Sequence, residues 1–246
     1  MSKFYTIIAG VGAGTGRSLA LRFAKSYPVI LLARTPQSYD PIVTEITSLG
    51  GQALGIPTDT SDATSLASAF QTIKDHHKDA HLAAAIYNVG AGFAVKPFLS
   101  LTPTDLSASL SSNAVGLFNF AQQTLPLLLS SVSASPPHPP SLIVTGATAS
   151  VRGSPKFATF AAGKFAARAL TQSLAREFGP QGVHVAHVIV DGVIDIPRTK
   201  QWEANGGVED GKINSDAIAE SYWHLHTQHR SAFTQELDLR PYVEKF

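Results

Sequence analysis

Three observations predict an α/β fold, a doubly wound parallel sheet of seven strands, for this 246-residue chain. An apolar, partly β-branched run, Phe4 to Ala9, turns through Gly10, Gly12, Gly14 and Gly16 into a helical pattern with Leu19, Ala20, Phe23 and Ala24 on one face. Short apolar runs then alternate with helical patterns to the end of the chain, as crossover-connected parallel strands require. No composition shift divides residues 1–246, and α/β folds of this length often form one undivided domain.

The first strand and its turn set the expected chemistry. A helix leaves its first amides unpaired and its positive dipole end exposed, and glycine lets a pyrophosphate approach the backbone. A GxGxxG reading fails at its third glycine in both registers, at Thr15 or Arg17, whereas Gly10–Gly14–Gly16 fits GxxxGxG. Glycine-rich turns without a ligand occur, but a strand before and a helix after favour a dinucleotide.

Val29 to Ala33 is a second buried-strand pattern, followed by a short helix with Ser38 as its cap, Pro41 in its first turn and Gly50-Gly51 beyond it. Ala53 to Pro57 reads as a third strand, Ala63 to His76 as a helix with Leu66, Phe70 and Ile73 inward, and His81 to Tyr87 as a fourth strand opening into a turn that runs to Gly92. Thr102, Pro103 and Asp105 form an N-terminal helix signature, and the helix runs to about Ser130 with Asn113 and Gly116 interrupting it. Ser133 to Ser141, rich in Pro and Ser, reads as a surface loop. Leu142 to Thr145, Val183 to Val190 and Phe233 to Leu239 complete the strands, with a long alanine-rich helix over Pro155 to Gly179. The polar stretch 197–230, carrying Trp202, Tyr222 and Trp223, is expected to be a helical flap over the substrate.

Composition narrows the function. Nineteen basic against 18 acidic residues give no electrostatic case for nucleic acid or an acidic membrane surface. The absence of cysteine excludes disulfides and thiolate chemistry. The strand pattern beginning at Phe4 leaves no room for a secretory leader, and the apolar runs are too short for a membrane span, so a soluble cytoplasmic protein is expected. His224, His226 and His229 lack a carboxylate at matching spacing, so no metal site is expected.

Taken in order, these landmarks resemble the short-chain dehydrogenase/reductase family, whose Rossmann-type sheet has seven strands. The family's TGxxxGxG loop corresponds to Ala9 through Gly16, and its NNAG motif, half kept, to Tyr87-Asn88-Val89-Gly90. The adenine-contacting Asp corresponds to Asp59, the tetrad Asn to Asn113, and YxxxK to Phe160-Ala161-Ala162-Gly163-Lys164. Thirteen positions before Phe160, where the family carries its catalytic Ser, stands Ala147. The PG motif appears as Asp191-Gly192. The chain resembles a divergent branch that keeps the lysine and carries Phe for Tyr.

The resemblance implies a cofactor site of Gly10, Gly14, Thr15, Gly16, Arg34, Asp59, Thr60, Asn88, Gly90, Lys164 and Ile194, and catalytic positions Asn113, Lys164 and Asp191. Arg34 stands where NAD-specific enzymes place a carboxylate, and a guanidinium forks onto a phosphate far better than onto a hydroxyl, so NADP(H) is the expected cofactor. A solvated arginine is the plain alternative, as helix capping is for Asp59 and a loop role for Asp191. Lys164 and Phe160, four apart, share a helix face, so the lysine can hold the nicotinamide ribose while the ring lacks the proton-donating hydroxyl. Asp191, Tyr87 and Tyr222 are the candidates for a replacement acid; Lys164 is expected to be an ordinary ammonium, too weakly acidic for the task.

These residues point to an NADPH-dependent reductase of an activated small-molecule acceptor (imine, iminium or enone) or a carbonyl. Loss of two hydroxyls also admits a silent NADP(H)-binding scaffold or sensor, or a non-redox cyclase or isomerase. Family habit implies a homodimer or homotetramer.

Overall fold

The computed structural model describes residues 3–90 and 93–245; Ala91 and Gly92 of the expected turn, and the terminal Phe246, lie outside the described residues. Strands β1 (Phe4–Ala9), β2 (Val29–Ala33), β3 (Ala53–Pro57), β4 (His81–Tyr87), β5 (Ser141–Thr145) and β6 (His184–Val190) are followed by a short pair, β7 (Ile194–Asp195) and β8 (Ile213–Asn214), and by β9 (Glu236–Leu239). Seven of them form one all-parallel sheet in the order β3-β2-β1-β4-β5-β6-β9, the expected doubly wound architecture. The order reverses between β1 and β4, which is where such sheets open a crevice for ligands.

Helices cover both faces, which is why β1 and β6 are mostly apolar and buried at every position, including Thr6, His184 and His187. On one face α1 (Thr15–Ala24), α2 (Asp40–Ser48) and α7 (Ser215–Thr227) bury Leu19, Phe23, Ile46, Ile218, Tyr222 and Leu225 against the sheet. On the other, α3 (Ala63–His76), α5 (Gly116–Val132) and α6 (Ala158–Phe178) bury Leu66, Ile73, Phe120, Leu128 and Ala167.

Local signals were mostly read correctly. Thr102 and Asp105 form a reciprocal capping box at the start of α4 (Pro103–Leu110). Ser38 does not cap: it ends a 3₁₀ turn, and Tyr39 precedes α2 with no side-chain cap. The interruption at Asn113 is a π-helical turn, Ser111–Val115, between α4 and α5. Its cause is Tyr87, whose hydroxyl inserts beside Gly116 and donates to the carbonyl oxygen of Ser112 at 2.6 Å. A Cβ on residue 116 would lie 2.3 Å from that hydroxyl, so only glycine admits the ring.

The expected flap is narrower than 197–230. Helix α7 packs on α1, with Tyr222, Leu225 and His226 wholly buried, because its apolar positions recur at helical spacing amid polar ones. The part outside the core is the segment before α7, with Trp202 half exposed.

His226 lies between Ser141 and Tyr27, its Nδ1 2.7 Å from the Ser141 hydroxyl and its Nε2 3.0 Å from the Tyr27 hydroxyl. Both partners can donate or accept, so the neutral ring is satisfied in either tautomer, and burial pushes its pKa down to about 3. A pKa below the unfolded value of about 6.5 means stability that is complete above that pH and is lost as pH falls toward 3. Unfolding free energy should therefore fall below pH 6, with His226 contributing about 1.4 kcal/mol per pH unit. Urea titrations at pH 7, 6 and 5 should show a shallower pH slope for His226→Gln; equal slopes would mean that folding does not shift the titration of the ring.

Candidate active site

The carboxyl ends of β1, β4 and β5 meet around Gly10. With φ +85°, Gly10 adopts a conformation disfavoured for other residues, and a Cβ there would lie 2.5 Å from the backbone of Asn88. Asn88 uses its whole amide to hold this corner: Nδ2 donates to the Gly10 carbonyl at 2.9 Å, and Oδ1 accepts from the Thr145 hydroxyl at 3.0 Å. Tyr222 extends the chain from below, its hydroxyl 2.7 Å from that of Thr145. One hydrogen-bonded line thus joins α7, β5, β4 and the glycine loop.

At the head of α1, Gly14 is the N-cap and supplies no side-chain cap, and no acidic residue stands in the first turn. Thr15 and Gly16 are buried there. Gly16 is glycine for the fold's sake, since a Cβ would lie 2.8 Å from the Gly10 carbonyl and the Val11 Cα. Gly14 faces Ile196, whose branch would approach an added Cβ to 2.9 Å. Gly12 and Gly90 differ: among the described residues nothing lies within 4 Å of where a Cβ would be. The chain itself gives them no steric reason to be glycine, and the open space before a helix N-terminus suits a phosphate. The residues present therefore fit a dinucleotide.

Beside the loop a cavity of about 680 Å³ is lined by Gly10, Arg34, Asp59, Thr60 and Gly90, among others. Arg34 is exposed at the end of β2. Asp59 accepts from the Ser61 amide at 2.9 Å and the Ser61 hydroxyl at 2.6 Å; these bonds, with smaller help from Arg34, hold its carboxyl below the usual range. It does not cap α3, a task performed by Asp62. Thr60 turns inward, its hydroxyl 3.2 Å from that of Tyr87.

The second half of the site centres on Lys164. Its Nζ donates to the Thr145 carbonyl oxygen at 3.0 Å and lies 5.9 Å from the centre of the Phe160 ring. Phe160 packs edge-on to Phe93 at 4.9 Å, and Phe93 also meets Phe157 at 5.6 Å. Lys164 is 4 % exposed and no carboxylate pairs with it among the described residues. Burial pushes the ammonium down to about 8. The expectation of an ordinary ammonium is thus corrected: the packing that seals this side chain comes from strands and helices distant in sequence. Asn113 is buried in the π-helical turn, its Nδ2 donating to the Ser109 carbonyl at 3.0 Å.

Ala147 offers only backbone, its amide donating to Ser150 Oγ at 3.1 Å. Asp191 is buried and receives the Thr148 hydroxyl, while Arg240 approaches its other oxygen at 3.6 Å. It acts as an acceptor that ties β6 to the carboxyl-terminal segment, and this geometry does not suit a proton donor. Tyr87 and Tyr222 are likewise committed to Ser112 and Thr145, and burial raises both phenols above their ordinary value. Ile194 uses its carbonyl to hold the Thr199 hydroxyl. Sequence reasoning missed Ile196, Phe93 and Phe157, which no spacing rule connects to the site.

A switch-point crevice, an uncapped helix N-terminus behind glycines and a buried lysine at the far strand ends define a dinucleotide-binding oxidoreductase fold. The sequence profile of the short chain dehydrogenase family matches residues 5–206, and the chain belongs to that family. It is 26% identical over 197 residues to 3-hydroxyacyl-CoA dehydrogenase type-2 of Drosophila melanogaster, covering 78% of this chain and 75% of that one. A short-chain dehydrogenase from Rhodopseudomonas palustris superposes with TM-score 0.79 at 30% identity, covering 98% of this chain and all of its own (100%). An alcohol dehydrogenase from Thermococcus sibiricus, complexed with 5-hydroxy-NADP, has the same fold, with TM-score 0.80 at 21% identity and 98% coverage of both.

The loop geometry separates its glycines experimentally. Gly16→Ala should lower the thermal midpoint by about 4–8 °C, equivalent to about 2 kcal/mol, whereas Gly12→Ala should leave it within about 1 °C. Calorimetry of both variants checks this, and an unchanged midpoint for Gly16→Ala would contradict the close approach to Gly10.

Proposed function

We propose that this protein is an NADP(H)-dependent reductase that acts on an activated acceptor (an imine, iminium or conjugated enone) in preference to an unactivated ketone. The observation that carries this is the pairing of Ala147 and Phe160 with a retained Lys164. The apparatus for holding a dinucleotide is present, while both hydroxyls that would polarise and protonate a carbonyl oxygen are missing. An acceptor whose carbon is already electron-poor needs less of that help.

When bound, the cofactor supplies hydride. The chain's residues supply the rest. Thr15 and Gly16 offer backbone amides to the diphosphate, and Gly12 and Gly90 leave room for it. Arg34 would take the 2′-phosphate; Asp59, near enough to feel its charge, and Thr60 border the adenosine side. Lys164 would hold the nicotinamide ribose and Ile194 the carboxamide side, with Asn113 and Asp191 shaping the far wall. Phe93, Phe157 and Phe160 would exclude water from the acceptor. No described helix is long and apolar enough to cross a membrane. We take the working form to be a cytoplasmic homodimer or homotetramer whose partner is a small molecule, with neither nucleic acid nor membrane involved.

Two experiments test this reading. In fluorescence titrations Arg34→Ala should weaken NADPH about tenfold and NADH less than about twofold; tighter binding of NADH by the wild type would defeat the assignment. On a matched panel of ketones, imines and enones, Ala147→Ser with Phe160→Tyr should raise ketone turnover about tenfold or more, since a positioned acid typically contributes about 10²–10⁴-fold. Fast wild-type turnover of plain ketones would overturn the acceptor preference, and tight NADPH binding with no turnover would favour a non-catalytic sensor.

A further inference from the structure

The missing tyrosine raises a question that the geometry answers in an unexpected place. Three hydroxyls of this region are engaged elsewhere, Thr145 with Asn88 and Tyr222, Thr148 with Asp191 and Tyr87 with Ser112, while Ser150 accepts from the Ala147 amide. Asp191 faces Thr148 and Arg240. Lys164 brings polar hydrogens to the same corner, with Nζ 5.9 Å from the centre of the Phe160 ring and 3.0 Å from the Thr145 carbonyl oxygen. We propose that Lys164 is itself the proton donor of the reductase reaction, releasing a proton from Nζ to the acceptor as the hydride arrives. This rests on the reductase reading above and deepens it.

Three observations support the assignment. The ammonium has three N–H bonds, and the structure shows one acceptor for them, the Thr145 carbonyl oxygen at 3.0 Å. An aromatic wall rather than a carboxylate is its neighbour, with the Phe160 ring centre 5.9 Å away and Phe93 packed behind it. A carboxylate would stabilise the charge and hold the proton; rings and a neutral carbonyl do so less. Burial acts in the same direction, lowering the ammonium to about 8, near the value at which a general acid works best at neutral pH.

The other charged and titratable groups around this helix face do not compete for the role. His187 on β6 is wholly buried and kept neutral, chiefly by burial, with Nδ1 3.0 Å from Glu236 of β9. Arg168, one turn after Lys164 on α6, grips the same Glu236 with two bonds of 2.7 Å, so that carboxylate is already paired. Its charge and that of Lys164 both oppose protonation of His187. Asp191 at the end of β6 is held by Thr148 and Arg240.

The balance of the step is simple. The acceptor gains hydride at its electrophilic carbon, and its π electrons move to the heteroatom. One N–H bond of Lys164 breaks, that proton joins the heteroatom, and a neutral amine remains. The oxidised nicotinamide leaves with the reduced product, and the amine regains a proton from water. An iminium acceptor skips the proton transfer, because hydride alone neutralises it. Lys164 should therefore matter for imines and enones, and little for a pre-formed iminium beyond cofactor binding.

The test has an arm that needs no turnover. Reductive ¹³C-methylation followed by NMR titration of the free protein should reveal one dimethyl-lysine resonance titrating about two pH units below the rest, absent from Lys164→Arg. All lysines titrating together near pH 10 would overturn the proposal. In kinetics, kcat/KM for an enone should fall as pH rises above about 8, the sign expected for an acid that must be protonated. Lys164→Arg, which keeps the charge without giving up the proton, should lose about 10²–10⁴-fold on enones and less than about tenfold on an N-alkylated iminium. Equal losses on both substrates would assign Lys164 to binding alone and sink the donor role. NADPH titration of each variant separates the two readings: failure to bind NADPH in the wild type defeats the reductase, while intact binding with a flat pH profile defeats only the lysine acid. If Lys164→Arg does not fold, Lys164→Met and the wild-type pH profile decide the matter.

Discussion

The close meeting of β1 and β4 at their carboxyl ends governs this molecule. Gly10 approaches Asn88 so nearly that no side chain fits between them, and Asn88 in turn clamps Gly10 on one side and Thr145 on the other. From that junction the glycine loop departs toward α1, the cavity opens toward β2 and β3, and the Thr145 carbonyl presents itself to Lys164. The glycine loop and the corner around Lys164 are therefore joined through the same hydrogen-bonded junction. The Tyr222 hydroxyl fixes it to α7 from the opposite face of the sheet.

A buried ammonium with one neutral acceptor is costly to keep charged, and that cost is where the chemistry of this branch enters. In the family pattern a phenol would share the load with the lysine. Beside Lys164 stands the Phe160 ring, and burial, with the Thr145 carbonyl as acceptor, lowers the proton affinity of the nitrogen. Phe93, half exposed, packs its ring against Phe157 and Phe160 at the mouth of this corner.

Most of the frame was legible in the sequence because it depends on local rules. Continuous apolar runs marked the parallel strands, and Thr102 with Asp105 marked a helix start. Family order pointed to Lys164 and Asn113, which the fold buries on α6 and in the π-helical turn. What escaped was long-range. Tyr222 looked like part of a surface flap because its polar neighbours outnumber its apolar ones, yet it is wholly buried. The partners of Asp191 are Thr148 and Arg240, distant in sequence, so its contacts could not be read from its neighbours along the chain. Tyr87 explains the break at Gly116 only once β4 and α5 are seen together.

The unequal glycines of the loop bear on how such a chain drifts over generations. Gly10 and Gly16 are held by the protein's own backbone, so a descendant that had abandoned its nucleotide would still conserve them to remain folded. Gly12 and Gly90 have no such internal guarantor, and would be the first to accept alanine or serine once nothing had to fit against them. Among relatives with the same phenylalanine, the fate of those two positions would distinguish lineages that still hold a nucleotide from those that have become relics.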